Sequence, residues 1–445
     1  MTDNLSLARE LVAKGLNTGA EQIEVYVTKG QELTVKVANG QVETLKNAEE
    51  QGVGIRVFVA NRLGYAYSSD LSSTALETAL TKAIFNAKKT AEDSFNILPR
   101  LSDVYPELDL YDPEIAKVSV EEKIKMALLM EDSARGYDPR VKIIESCTYQ
   151  DVHYQIAIVN SKGIEKTNEG SYCGMYAFVV AEEGSEAQTG FDLQFELKIK
   201  DLNPVKIGKE AANKAVRSLG AKHVETQKAT VVLDPYVATN FLGVLASAFS
   251  AENVQKGKSF FAGKMNTIVC SPLVEIIDDG ALVGKVVSSP FDGEGVAMQR
   301  TILVKEGILT GLLHNSYTAN KGGTASTGNA IRSYKGTPEV GATNLYIEAG
   351  QVSKEVLLSE VRQGFYITEV MGMHTANPIS GDFSVGASGL LIENGKLTKA
   401  FRGAAIAGNL IGLLKQVDCV ADDLTFFIGS GSPTIRIANM TISGS

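Results

Sequence analysis

Apolar and polar residues alternate along Ile23 to Val27 and Leu33 to Val37, the pattern of half-buried strands, and an Asn39-Gly40 pair follows where a hairpin would turn. Val42 to Leu45 and Gly52 to Val57 continue the strand character, and from about Thr74 to Thr90 the apolar period becomes that of an amphipathic helix. The series then recurs. Tyr154 to Val159, a Lys162-Gly163 turn, Ile164 to Lys166 and Gly174 to Phe178 are followed by helical spacing from about Pro204 to Leu219. Gly52 and Gly174, and Val42 and Ile164, keep the same separation in both series, which predicts a duplicated unit of antiparallel strands covered on one face by helix.

Between the copies, Ile97 to Ala116 is rich in Pro, Asp and Leu and reads as a linker. A helix from about Ser119 to Arg135 follows, with Ile124, Ala127, Leu128 and Met130 as its apolar face, and a short amphipathic helix is expected around Asp3 and Glu10. From Thr230 onward short strands and Gly-rich turns dominate, with a late helix or helical turn over Ala405 to Val417. One longer helix stands out there. Ala229 to Leu233 is strand-like, Asp234 is an N-cap with Pro235 at the first helical position, and Val237, Phe241, Val244 and Ala248 recur at helical spacing, which predicts a helix from about Tyr236 to Ala251. The fold class is therefore α+β, with duplicated antiparallel-sheet/helix units in the N-terminal part and a β-rich C-terminal domain, divided at 1–95, 96–225 and 226–445.

With 445 residues, 44% of them hydrophobic, the chain can bury large cores. Its net charge of −9 argues against a nonspecific nucleic-acid binder, which would present a basic face. No apolar run approaches the ~20 residues needed to span a membrane, and the N-terminus lacks the basic and apolar regions of a signal peptide, so a soluble, cytoplasmic protein is expected. Cys147, Cys173, Cys270 and Cys419 are far apart without a Cys-x-x-Cys pair and read as small buried residues of a reducing compartment.

Several short motifs carry little chemistry. Gly257-Lys258-Ser259 has the end of a phosphate loop but Glu252 where its first glycine belongs. Gly429-Ser-Gly-Ser-Pro433 leads into a strand and not a helix, so it reads as a turn. Asp278-Asp279 before Gly280 reads as a hairpin turn between apolar runs, and His153 and His223 have no ligand-spaced neighbours. His314, which opens HNSYTANKGGTASTGNAIR, and His374 are better placed. Met371 to Gly389, MGMHTANPISGDFSVGASG, sets His374, Asn377, Ser380, Asp382 and Ser384 among glycines in a β-like region.

This last segment resembles the C-terminal signature of the TldD/PmbA family, specifically its TldE (PmbA) branch, and the resemblance spans the whole chain. Zinc-bearing members of that family carry His-Glu-x-x-x-His on a helix of the third domain and a Cys ligand from a short Cys-Gly-Lys insertion before the final strand. The corresponding positions here are Ala246, Ser247 and Ala251, in a register fixed by the Lys258 to Gly263 and Ser271 to Gly280 runs. The chain passes from Asp423 to Pro433 without the insertion. Zinc needs three or four N, S or O ligands at about 2.0 to 2.3 Å, so the resemblance implies a subunit with no metal, no cofactor and no catalytic residue of its own. It implies a TldD-like zinc protease subunit as heterodimer partner, or self-association as a homodimer, and peptides or small unfolded proteins as substrates. His314, His374, Asn377, Ser380, Asp382 and Ser384 are then candidates to line a substrate cavity. The family's older label, modulator of DNA gyrase, gains no support from an acidic chain. Two other readings stay open: an autonomous hydrolase using the His374 to Ser384 cluster, for which Ser380 or Ser384, His374 and Asp382 would have to form a triad, and a homodimeric binding or scaffold protein.

Overall fold

A computed structural model describes residues 2–444. The first copy comprises α1 (Thr2–Asn17), β1 (Gln22–Ala38), β2 (Gln41–Val59), β3 (Arg62–Ser68) and α2 (Ser73–Ala87). After a short α3 (Pro113–Lys117) the second copy comprises α4 (Val120–Arg135), β4 (Val141–Asn160), β5 (Glu165–Glu183), β6 (Glu186–Glu196) and α5 (Pro204–Arg217). Ser119 caps α4 in a capping box with Glu122, and Asn203 caps α5 ahead of Pro204, so both helices begin where sequence chemistry places a start.

The two copies share one antiparallel sheet, ordered β3-β2-β1-β4-β5-β6. The offset that carries Gly52 onto Gly174 also carries Gln31 onto His153, and these two face each other across the β1–β4 ladder, so the local twofold of the duplication passes between them. The strands are longer than the sequence pattern suggests. The runs expected at Ile23 to Val27 and Leu33 to Val37 are one strand, as are those at Val42 to Leu45 and Gly52 to Val57, because Gly30 and Gly52 continue the ladder and leave room for His153 O and the Tyr334 ring. The helices cover one face: Val25, Val27, Val53, Ile55 and Val57 pack on α1 and α2, and Val35, Cys147, Met175 and Val179 on α4 and α5. The opposite face is also partly covered, since Tyr26, Ile158 and Ile164 pack against Phe291 and Tyr334 of the third unit.

That unit begins with β7 (Gln227–Leu233), α6 (Pro235–Ala248) and α7 (Ala251–Gln255), then β8 (Ile276–Asp279), β9 (Arg300–Lys305), β10 (Ile308–Leu309), α8 (Ser316–Gly322), β11 (Ala330–Ile331), β12 (Glu339–Val340) and β13 (Leu345–Ile347). It continues through α9 (Lys354–Ser359), β14 (Gln363–Met371), β15 (Asp382–Glu393), β16 (Lys396–Asn409), α10 (Leu410–Lys415), β17 (Val417–Val420), β18 (Thr425–Phe427), β19 (Ser430–Ser432) and β20 (Ile435–Ser443). One sheet runs β10-β9-β8-β13-β19-β18 and another β16-β15-β14-β7-β20-β17, with β16 also pairing β20. Val237, Phe241, Leu242 and Leu245 of α6 share a core with Ile276 and Leu345 of the first sheet and Ile367, Val385 and Ile437 of the second.

Asp278 and Asp279 end β8 and do not turn a hairpin; residues 280–299 intervene before β9. Asp278 is buried and accepts from Thr343 N (2.7 Å), Thr343 Oγ1 (2.9 Å) and Asn329 Nδ2 (2.6 Å). No helix among the described residues is long and apolar enough to cross a membrane.

Candidate functional site

α6 opens as the sequence dictates, with Tyr236 N donating to Asp234 Oδ1 at 3.1 Å and Pro235 in the first turn. It closes early. The helix ends at Ala248, Ser250 is extended and bridges Leu313, and α7 starts with Ala251, so the helix expected through Ala251 is two helices. Ala246 and Ser247 therefore stand on one helix and Ala251 on the next. Ala246 packs at the edge of the core, Ser247 Oγ donates to Val244 O at 3.1 Å, and Ala251 is fully buried. One hydroxyl already tied to its own helix is the whole donor set, and among the described residues no group of three or more His, Cys, Asp or Glu is placed to hold a metal ion. These residues do not fit a zinc centre.

His314 follows directly on Leu313, the residue that bridges Ser250, and so stands beside the break between α6 and α7. Its backbone is fixed by Thr327: His314 N donates to Thr327 Oγ1 at 2.7 Å, and Thr327 N donates back to His314 O at 3.2 Å. Its Nδ1 is buried and makes no hydrogen bond with the described residues, and burial pushes the imidazole pKa down. Beyond it Asn315 and Thr318 form a capping box on α8, Ser316 N donates to Glu294 Oε2 at 2.7 Å, and Asn329 is held by Asp278. The two ends of the segment, around Asn315 to Ala319 and Gly328 to Ala330, are largely buried, while residues 320–325 between them are exposed.

The His374 to Ser384 cluster lies on the turn between β14 and β15, which packs against α6, with Phe383 standing 5.2 Å from Phe241, ring centre to ring centre. Asn377 Oδ1 accepts from Ile379 N (2.8 Å) and Ser380 N (3.2 Å), Ser380 Oγ donates to Asp382 Oδ2 (2.7 Å), and Asn409 Nδ2 donates to Asp382 Oδ1 (2.9 Å). The Asn409 and Ser380 hydrogen bonds hold the Asp382 carboxyl below its usual range. His374, Asn377, Asp382 and Ser384 are exposed, and His374 hydrogen-bonds neither serine. The fold brings Asn377, Ser380 and Asp382 together as an Asx-type turn anchored by Asn409, and leaves His314 in a separate constellation; no Ser–His–Asp arrangement is assembled.

Sequence reasoning missed a buried charge cluster that joins the first copy to the third unit. Arg56 bonds Glu24 at 2.8 Å and Glu294 at 2.7 Å, and Arg332 bonds Glu24 at 2.5 Å, with the side chains of Glu24 and Arg332 fully buried. Asp292 beside it is raised by burial and by the Glu294 charge. The signal was present: Glu24 and Arg56 interrupt the apolar runs IEVYV and GIRVF on the face that Tyr26 occupies.

A duplicated sheet-and-helix layer fastened to a two-sheet unit is an architecture this chain shares with proteins of metallopeptidase type, whose three domain models it matches. The chain belongs to the PmbA/TldD family. Its residues 23–91 match the model for PmbA/TldA metallopeptidase domain 1, 113–219 the central domain and 226–444 the C-terminal domain. It is 30% identical to the metalloprotease PmbA of Escherichia coli O157:H7 over all of this chain and 96% of that protein. It is 28% identical to a TldD homolog of Haemophilus influenzae, over 89% of this chain and 87% of that one. Among solved structures, a protein from Thermotoga maritima MSB8, named for a suggested role as modulator of a DNA gyrase, superposes with a TM-score of 0.92 at 28% identity, covering 98% and 99% of the two chains. TldE from Thermococcus kodakarensis shares the fold with a TM-score of 0.90 at 24% identity, covering 98% of this chain and 100% of that one.

Proposed function

We propose that this chain is the subunit without a zinc site in a two-component peptidase, acting with a zinc-bearing PmbA/TldD-family partner on peptides and small unfolded proteins. The observation that carries the reading is the donor set: Ala246 and Ser247 on α6 and Ala251 on α7, where the zinc motif of catalytic members would stand. Metal-assisted hydrolysis needs a metal-activated water and a base, and on this reading the partner supplies both. The match to a PmbA protein and to a TldD homolog over most of both lengths supports a partner of the same fold. Two chains of one fold can meet about a pseudo-twofold axis through equivalent surfaces, and alone this chain would use the same surface as a homodimer. A cytoplasmic setting fits four free, buried cysteines.

Reconstitution tests the reading. Mixed with a zinc-bearing family member from the same host, the chain should form a complex on size exclusion and raise peptide cleavage in a chelator-sensitive way. A mixture with neither complex nor gain in cleavage defeats it.

A further inference from the structure

The duplication gives the large sheet two matching edges, one covered and one open. The offset that carries Gly52 onto Gly174 carries residues 44–51 of β2 onto 166–173 of β5. In the second copy that stretch is closed off: Ser171 N donates to Leu110 O at 2.8 Å, the Lys166 ammonium stands 3.6 Å over the Tyr105 ring, and Asn168 and Ser171 are buried. In the first copy the same stretch is bare. β3 pairs with β2 only from Val53 onward, no other strand or loop among the described residues pairs with residues 44–51, and all of them but the half-buried Ala48 are exposed. By the same offset Glu49 N is the counterpart of Ser171 N, and no acceptor outside the β1 ladder stands before it.

Open edges are usually blunted by shortness, by Pro, by bulges or by inward-pointing charge. This stretch contains no Pro and no bulge: the bulge of β2 lies before it, at Glu43, and the Tyr334 ring lies against Gly52 at its far end. Its charges are held by exposed pairs, Lys46 standing 3.9 Å from Glu32 and Glu50 2.7 Å from Lys335, which are worth little in water and free to exchange. A twofold axis normal to an antiparallel pair passes through two directly opposed residues, here the same residue of two chains. An axis at Lys46 or Glu49 would oppose like charges, and one at Leu45 or Asn47 would leave Lys46 and Glu50 facing neutral residues. An axis at Ala48 sets Lys46 against Glu50 of the second chain and Asn47 against its Glu49, each twice by symmetry, with a small side chain on the axis and no like charges opposed. That register takes in the open stretch from Leu45 to Gln51.

We propose that two copies of this chain join at this edge, β2 pairing antiparallel with β2 of the second copy about a twofold axis at Ala48, so that the two six-stranded sheets become one. Main-chain hydrogen bonds supply affinity, and the Lys46–Glu50 pairs fix the register. The contact is isologous and uses up the edge in both chains, so it closes at two. The inference deepens the association of like folds proposed above by naming its surface, and rests on that part of the reading.

The test uses the full chain alone, followed by sedimentation velocity, with circular dichroism to confirm that each variant is folded. The parent should be a dimer, and Lys46→Glu and Glu50→Lys should each raise its dissociation constant at least about tenfold, because each reversal opposes like charges at two symmetric places. An equimolar mixture of the two singly reversed chains should recover the parent's affinity, since the reversed positions then face opposite charge again. Ala48→Cys should form an interchain disulfide in air, the native cysteines being buried, whereas Val104→Cys on the exposed linker should not. A parent that stays monomeric at high micromolar concentration, a dimer that both reversals leave equally tight, a mixture that fails to recover it, or no disulfide at position 48 overturns the proposal. A chain that is monomeric alone yet raises the peptidase activity of a zinc-bearing partner would overturn it and spare the companion-subunit reading.

Discussion

Gly64 on β3 and Gly190 on β6 meet their helices in the same way. A Cβ on Gly64 would lie 2.0 Å from Ala83 O and 2.6 Å from Ala87 N of α2, and a Cβ on Gly190 2.0 Å from Ala211 O and 2.6 Å from Ala215 N of α5. The two glycines also hold equivalent register places, opposite Val57 and Val179. Backbone atoms cannot step aside as a flexible side chain can, so strand and helix must separate to admit a methyl group. Gly64→Ala and Gly190→Ala should each lower stability by roughly 1–3 kcal/mol, the range of overpacked cores, and by similar amounts. Urea midpoints of the two variants would check this; a neutral effect at either position would show that its helix is free to move.

The Glu24–Arg56–Glu294 chain with Arg332 is the main polar tie between the first copy and the third unit. Removing one member leaves an opposite charge buried and uncompensated, a loss of about 3–5 kcal/mol in comparable pairs. Arg332→Met should therefore shift the urea midpoint strongly and speed proteolytic cutting in the 97–112 linker. Lys335→Met, which breaks an exposed ion pair with Glu50 nearby, should change the midpoint little.

His314 gives a pH dependence whose sign follows from its burial. Its folded pKa lies below the unfolded value of about 6.5, so between the two the unfolded chain binds the extra proton. Stability from this group is complete above about 6.5 and is lost as pH falls, with a slope no steeper than about 1.4 kcal/mol per pH unit. Carboxylates contribute in the same direction at lower pH, so the comparison must be internal. His314→Gln should flatten the decline in urea midpoint between roughly pH 6.5 and 5 relative to the parent chain; identical slopes would show that the ring reaches solvent.

Much of the first two units was legible because period-two alternation, the Asn39-Gly40 turn and capped helices are local signals. β3 and β6 were not, since as edge strands they carry partly exposed residues on both faces and the alternation in RLGYAYS and EAQTGFDLQFE is weak. The break after α6 was hidden for the opposite reason: Ala248, Phe249 and Ala251 keep an unbroken apolar pattern while the Ser250–Leu313 pairing, a tertiary contact, interrupts the helix. Asp278 looked like turn chemistry because the partners that let it be buried, Asn329 and Thr343, are distant in sequence. The late helix expected from Ala405 begins only at Leu410, where Asn409 caps α10 after a strand.

Reinstating the family motif by Ala246→His, Ser247→Glu and Ala251→His should not produce a peptidase. On the proposed reading the motif would sit on one helix, whereas here Ser250 leaves the helical path between Ala248 and Ala251, held by its bridge to Leu313 and by Ala251 N donating to Leu313 O at 2.9 Å. A histidine at position 251 would enter a fully buried alanine site, with an overpacking cost of about 1–3 kcal/mol. On the proposed reading a further ligand would also be lacking, because β18 turns through Ile428 and Gly429 directly into β19 with no cysteine in the loop. The variant should therefore be less stable than the parent, and both should hold no stoichiometric zinc after dialysis against a mild chelator, as elemental analysis would measure. Zinc retention together with chelator-sensitive hydrolysis by the triple variant alone would show that the catalytic architecture survives intact and that only its ligands were lost.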